Sequence, residues 1–145
     1  MKYLPIFYDL SVRPCLVVGA GEIAARKVRQ LRKAEASVTI IAPDICEELQ
    51  GLADCEEIQY IAERFSEEIL HDKMLVIAAT NDEEVNRQVS ELAKAKNIPV
   101  NVVDNPDLCS FIMPSIVDRD PVQIAISTGG ASPVLARLLR ARLET

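Results

Sequence analysis

Apolar residues recur along this chain with two different periods. Five short apolar runs, at residues 15–18, 38–41, 58–61, 74–78 and 100–103, read as strands, the first of them a continuous run as expected of a strand buried on both faces. Between them the apolar spacing is helical. Ala24, Val28 and Leu31 follow the first run, with basic residues between them. Pro43 and Asp44 open a second helix through Leu49 and Leu52. Val85, Val89, Leu92 and Ala93 form the stripe of a third, with Asn81 as its cap and Glu84 completing a capping box. Pro99 prevents that helix from continuing beyond Asn97. Strands alternating with helices predict an α/β fold with a mostly parallel, doubly wound sheet.

The pattern changes after residue 109. Two β-rich runs, 111–117 and 122–127, have only Asp118-Arg119-Asp120-Pro121 between them, which predicts a hairpin joined by a turn. Pro114 inside the first run marks an edge or bulged strand, and such an edge invites a partner. Ser132 and Pro133 have the chemistry of an N-cap and first turn, so a terminal helix follows. The expected organisation is a ligand-binding α/β region over 1–109 and a hairpin-and-helix region over 110–145.

Composition narrows the function. The 145 residues carry 16 basic and 22 acidic side chains, a formal net charge of −6, and no basic tract, which argues against nucleic acid. No apolar run approaches a membrane span, and the opening residues have no signal-like apolar stretch, so a cytoplasmic protein is expected. Aromatics make up only 4%, so the core must be aliphatic. Cys15, Cys46, Cys55 and Cys109 show no metal-ligand spacing, and His71 is the only histidine to join them. No resident metal is expected.

The clearest chemical signal is Gly19-Ala20-Gly21-Glu22-Ile23-Ala24, which fits G-x-G-x-x-G/A and lies between a strand and a helix. The first glycine makes the turn, the second admits a pyrophosphate, and the small last residue lets helix and strand pack. This points to a Rossmann-like dinucleotide site, with NAD favoured because no arginine stands beside Asp44 to meet a 2′-phosphate. Asp44 suits ribose hydroxyls, and it suits a helix cap equally. Thr80, Asn81 and Asp82 sit at the carboxyl end of the fourth strand, where such sheets bind ligands, and also where a helix needs capping.

Asp104 ends the fifth strand. A carboxylate there, with Val103, Phe111 and Met113 as apolar neighbours, is a candidate general base, while the Asp-Asn-Pro context also suits a simple turn. Ser127, Thr128, Gly129 and Gly130 join the last strand to the terminal helix and resemble an anion nest, with Arg137, Arg140 and Arg142 beyond. A plain capped loop followed by a solvated basic face fits the same residues.

Taken together, LPIF at 4–7, VVGAGEIAARKV at 17–28, IAATND at 77–82, NVVDNP at 101–106, SFIMPSIVDRDP at 110–121 and STGGASPVLARLLR at 127–140 make the chain resemble a known family. It is similar to the precorrin-2 dehydrogenase/sirohydrochlorin ferrochelatase module of siroheme synthase. The resemblance implies NAD-dependent oxidation of precorrin-2 to sirohydrochlorin, and in some members insertion of Fe²⁺ as a passing substrate. It implies that Asp104 is the catalytic acid/base. NAD contacts fall on Glu22, Ile23, Pro43 and Asp44, beside Gly19, Gly21, Thr80 and Asn81. Asn101, Arg119, the 127–130 loop and Arg137 are the candidates for holding the polycarboxylate substrate. Thr128 stands where the family often has a phosphorylatable serine. The family also implies a homodimer through the hairpin and a helical tail beyond Thr145, which this chain meets in mid-helix. A non-catalytic NAD-sensing module and a chelatase without dehydrogenase activity are the alternatives that the residues leave open.

Overall fold

In the computed structural model, which describes all 145 residues, the five apolar runs become strands of one parallel sheet. They are β1 (Pro14–Val18), β2 (Ser37–Ile41), β3 (Gln59–Ile61), β4 (Leu75–Ala78) and β5 (Val100–Val102). Their order is β3-β2-β1-β4-β5, with Val17 in register with Ile40 on one side and Ile77 on the other. The order reverses between β1 and β4, which is where Rossmann-like sheets open a crevice for ligands. Both faces of β1 and β4 are covered, so their residues are apolar without alternation.

Three helices connect these strands: α1 (Glu22–Lys33), α2 (Glu47–Asp54) and α3 (Glu83–Ala95). The first packs on β1 and β2, the third on β4 and β5. Val89 and Ala93 of α3 meet Leu16, Val76 and Val100 in an aliphatic core. No α-helix joins β3 to β4. A short 3-10 turn, Glu67–Leu70, delivers Leu70 into that core instead.

Two helix starts differ from the sequence reading. The second helix begins at Glu47, not at Pro43-Asp44, with Cys46 as its cap residue. The Cys46 N–H donates to the Ala20 carbonyl at 2.8 Å, which holds the preceding residues as a loop. The third helix is capped by Asp82, not Asn81. The Asp82 carboxylate accepts from the amides of Glu84 (3.0 Å) and Val85 (3.3 Å), so no Asn81–Glu84 capping box forms.

All of this lies in the unit Phe7–Ser110. The other unit joins Met1–Ile6 to Phe111–Thr145. It contains an antiparallel hairpin, β6 (Ser115–Arg119) and β7 (Val122–Ile126), and the helix α4 (Pro133–Glu144). The hairpin is tighter than expected. Asp118 and Arg119 pair with Gln123 and Val122, leaving only Asp120 and Pro121 as the loop. Pro114 precedes β6 and does not interrupt it, because a proline has no N–H for the ladder. Ser132 caps α4 as expected, accepting from the Leu135 amide at 3.1 Å. That helix buries only Ala136. No helix is long and apolar enough to cross a membrane.

Candidate functional site

The two glycines of the first loop are required for different reasons. Gly19 has φ +113, and a Cβ placed on it would lie 2.4 Å from the Ala79 carbonyl oxygen. The loop after β4 therefore presses on the loop after β1, and only glycine fits between them. Gly21 is in ordinary extended backbone, and a Cβ there would meet nothing within 4 Å. The chain's own packing thus explains Gly19 but not Gly21. What Gly21 leaves open is the space at the start of α1, where no side chain caps the helix. Unpartnered amides and the helix dipole favour an anion at that point. Glu22 and Ile23 are exposed there, while Ala24 is fully buried and lets α1 approach the sheet.

Pro43 and Asp44 are exposed beyond β2. The Tyr60 hydroxyl, from β3, donates to the carbonyl of Ala42 at 3.0 Å, with that of Pro43 at 3.3 Å. This fixes the loop beside the glycines and leaves the Asp44 carboxylate outward. Asp44 therefore does not serve as the helix cap.

Thr80 and Asn81 follow β4. The Thr80 hydroxyl donates to Asn86 Oδ1 at 2.7 Å and accepts from the Asp82 amide at 3.1 Å. Its side chain is turned into the protein, so what Thr80 offers a ligand is position and not a free hydroxyl. Asn81 is exposed and takes no part in this network.

Asp104 stands in a turn directly after β5, with φ +61, a conformation that Asp and Asn tolerate better than most residues. The turn is pinned on both sides: the Val103 amide donates to Ala78 (3.0 Å) and the Asn105 amide to Val102 (3.1 Å). Cys109 braces it from behind, its sulfur accepting from the Val102 amide at 3.1 Å. Burial raises the Cys109 thiol above its usual range, so the sulfur stays neutral and structural. Asp104 itself is exposed. Its notable neighbour is Lys27 of α1, a half-buried amine whose pKa is lowered chiefly by burial, then by Arg26, and raised in part by Asp104. Asn101, further back on β5, is buried.

In the other unit, Ser127 accepts from the Gly129 amide at 3.0 Å and Thr128 from the Ser132 amide at 2.9 Å. The loop's own hydroxyls thus engage two of its amides, those of Gly129 and Ser132. Gly129 and Gly130 have φ +67 and +86, which alone accounts for glycine at both. Arg119 reaches the carbonyls of Asp118 and Glu144, and Arg140 pairs with the Glu144 carboxylate at 3.0 Å, whereas Arg137 is exposed. No group of three or more His, Cys, Asp or Glu side chains is placed to hold a metal.

Lys27, Tyr60 and Asn86 were missed by sequence reasoning. Lys27 looks like one more solvated base on an amphipathic helix, and Tyr60 and Asn86 act across elements, so no local pattern distinguishes them.

The model described as "Putative NAD(P)-binding" matches residues 6–115, and one described as "Sirohaem biosynthesis protein central" matches 119–145. A siroheme synthase of Nitrosospira multiformis is 59% identical across the whole chain, and one of Thioalkalivibrio sulfidiphilus is 53% identical. The chain spans about a third of the length of these relatives, 32% and 30%. Among solved structures, SirC, a precorrin-2 dehydrogenase, superposes with a TM-score of 0.83 at 28% identity, over 97% of this chain and 69% of that one. A formate dehydrogenase shares only the fold, with a TM-score of 0.53 at 15% identity over 71% of this chain and 27% of its own. The chain belongs to the NAD(P)-binding family, and its whole length is homologous to about a third of the length of these siroheme synthases.

Proposed function

We propose that this chain binds NAD⁺ and oxidises precorrin-2 to sirohydrochlorin. The observation that carries the reading is Gly21, which faces open space at a helix start that no side chain caps, so that a side chain there would stand in front of the first helix amides. The dinucleotide supplies the hydride acceptor. The chain supplies the rest. Gly21 and the first amides of α1 would hold the pyrophosphate, with Glu22 and Ile23 at its edge. Asp44 would accept the ribose hydroxyls and repel a 2′-phosphate, which favours NAD⁺ over NADP⁺. Thr80 and Asn81 would form the opposite rim.

Asp104 would accept the proton released as the hydride leaves. It is carried at the carboxyl end of β5 by a turn hydrogen-bonded on both sides. Lys27 places positive charge within electrostatic reach of that carboxylate. Arg119, Arg137 and the loop Ser127, Thr128, Gly129 and Gly130 are the candidates for meeting the substrate's carboxylates, and Asn101 is a further candidate for holding the substrate. The similarity to SirC supports the substrate assignment. The hairpin supports a homodimer: both strands of a two-stranded sheet are edges, and Ile116 and Val122 are exposed on them. A cytoplasmic location belongs to the same reading.

The test is NADH formation on mixing the chain with precorrin-2 and NAD⁺, with and without Fe²⁺. Turnover without iron supports the dehydrogenase, and siroheme formed only with iron reports insertion as a second activity. NADH binding without turnover would leave a dinucleotide-sensing module. Iron insertion without NAD⁺ dependence would leave a chelatase.

A further inference from the structure

We propose that Asn86, one turn into α3, is a positioning residue for the dinucleotide, acting through Thr80 on the loop that presses against Gly19. The inference rests on the dinucleotide reading above and adds a residue that neither the glycine motif nor the caps of α3 include.

One amide side chain holds every polar group of Thr80. Asn86 Oδ1 accepts from the Thr80 hydroxyl at 2.7 Å and from its backbone amide at 3.4 Å, while Nδ2 donates to its carbonyl at 3.0 Å. The Thr80 hydroxyl in turn receives the amide of Asp82, the cap of α3. Both Asn86 and Thr80 are half-buried, so these bonds are partly shielded from water.

The preceding residue makes this matter at a distance. The Ala79 carbonyl lies where a Cβ on Gly19 would sit, at 2.4 Å, so the two loops have no slack between them. The Ala79 amide is also tied to the Val18 carbonyl at 2.8 Å. If Thr80 is released, the backbone beside Gly19 is free to shift, and with it the rim carrying Asn81. A misplaced rim weakens binding of the cofactor while leaving the proton acceptor on β5 where it was.

The test is NADH affinity of the 145-residue chain, read by fluorescence titration, with thermal melting of the ligand-free protein as the folding control. Asn86→Leu is expected to weaken NADH about tenfold and raise the KM for NAD⁺ by a similar factor. Its kcat at saturating NAD⁺ should stay within about threefold of wild type, a split that mere loss of stability does not produce. Thr80→Val cuts the hydroxyl link from the other side, and the double variant should lose less than the product of the single losses. A folded Asn86→Leu chain that binds NADH within twofold of wild type overturns the proposal, as does a double variant whose losses multiply. If Asn86→Leu does not fold, unchanged NADH affinity in Thr80→Val overturns it alone. A wild-type chain that binds no NADH fails the dinucleotide reading itself, and that result is seen before any variant is made.

Discussion

Replacing each glycine of the first loop separately tests whether they serve the fold or the ligand. In Gly19→Ala the new methyl group meets the Ala79 carbonyl oxygen at 2.4 Å and its carbon at 2.8 Å, both backbone atoms that cannot swing aside. A side chain at φ +113 adds backbone strain of about 1–3 kcal/mol, and overpacking adds about 1–3 kcal/mol more. The expected loss is about 2–6 kcal/mol, lowering Tm by roughly 5–20 °C for a chain of this size. In Gly21→Ala the methyl group meets no protein atom within 4 Å, and the backbone is already extended. The poorer helix cap and the reduced entropy of the unfolded chain roughly offset, so stability should change by less than about 1 kcal/mol. NADH affinity should nevertheless fall about tenfold or more, and Gly21→Asp, which adds a like charge, should abolish binding. Calorimetric melting and NADH titration on the same samples read both effects. A Gly19→Ala chain as stable as wild type would refute the close approach. A folded Gly21→Asp chain with wild-type affinity would refute the cofactor site.

Asp104→Asn keeps the left-handed turn and should leave NADH affinity within a few-fold while cutting precorrin-2 oxidation by about 10²–10⁴. Asp104→Ala adds about 1–2 kcal/mol of backbone cost, so the Asn variant is the cleaner probe, and full rate in it would make Asp104 a turn residue only. Cys15 is fully buried and its thiol is pushed up to about 11 from 9.0, so the folded state resists ionisation. Stability from this group is complete below pH 9 and lost as pH rises toward 11, by about 2–3 kcal/mol in total. Denaturant melts of Cys15→Val should lack that alkaline component, and an unchanged slope would contradict it. Sedimentation of the chain should show a dimer at micromolar concentration, with Met113 and Ile116 near the interface. Ile116→Lys should shift it toward monomer, and a dimer indifferent to that change would place the interface elsewhere.

The centre of the sheet was legible in the chain because strands such as β1 and β4 are buried on both faces. Runs such as Leu16-Val17-Val18 and Val76-Ile77-Ala78 have no other stable use, and the helical stripe of Val85, Val89 and Ala93 can be satisfied only against them. The glycine loop was legible for a similar reason: a strand, two glycines and a helix form one local unit. Cap choice was not. Asn81 and Asp82 have equivalent local chemistry, and only the backbone path, closed by Thr80 and Asn86, decides which carboxyl or amide oxygen reaches the helix amides. Nor was it legible that the Ser127 and Thr128 hydroxyls would engage the amides of Gly129 and Ser132 in their own loop. The partition of roles between Gly19 and Gly21, the exposure of Asp104, and the charge of Lys27 beside it all depend on residues from strands and loops far apart in sequence. Local pattern records what a residue can do in its own segment. Which of those uses is realised depends on the atoms that another segment brings within a few ångströms.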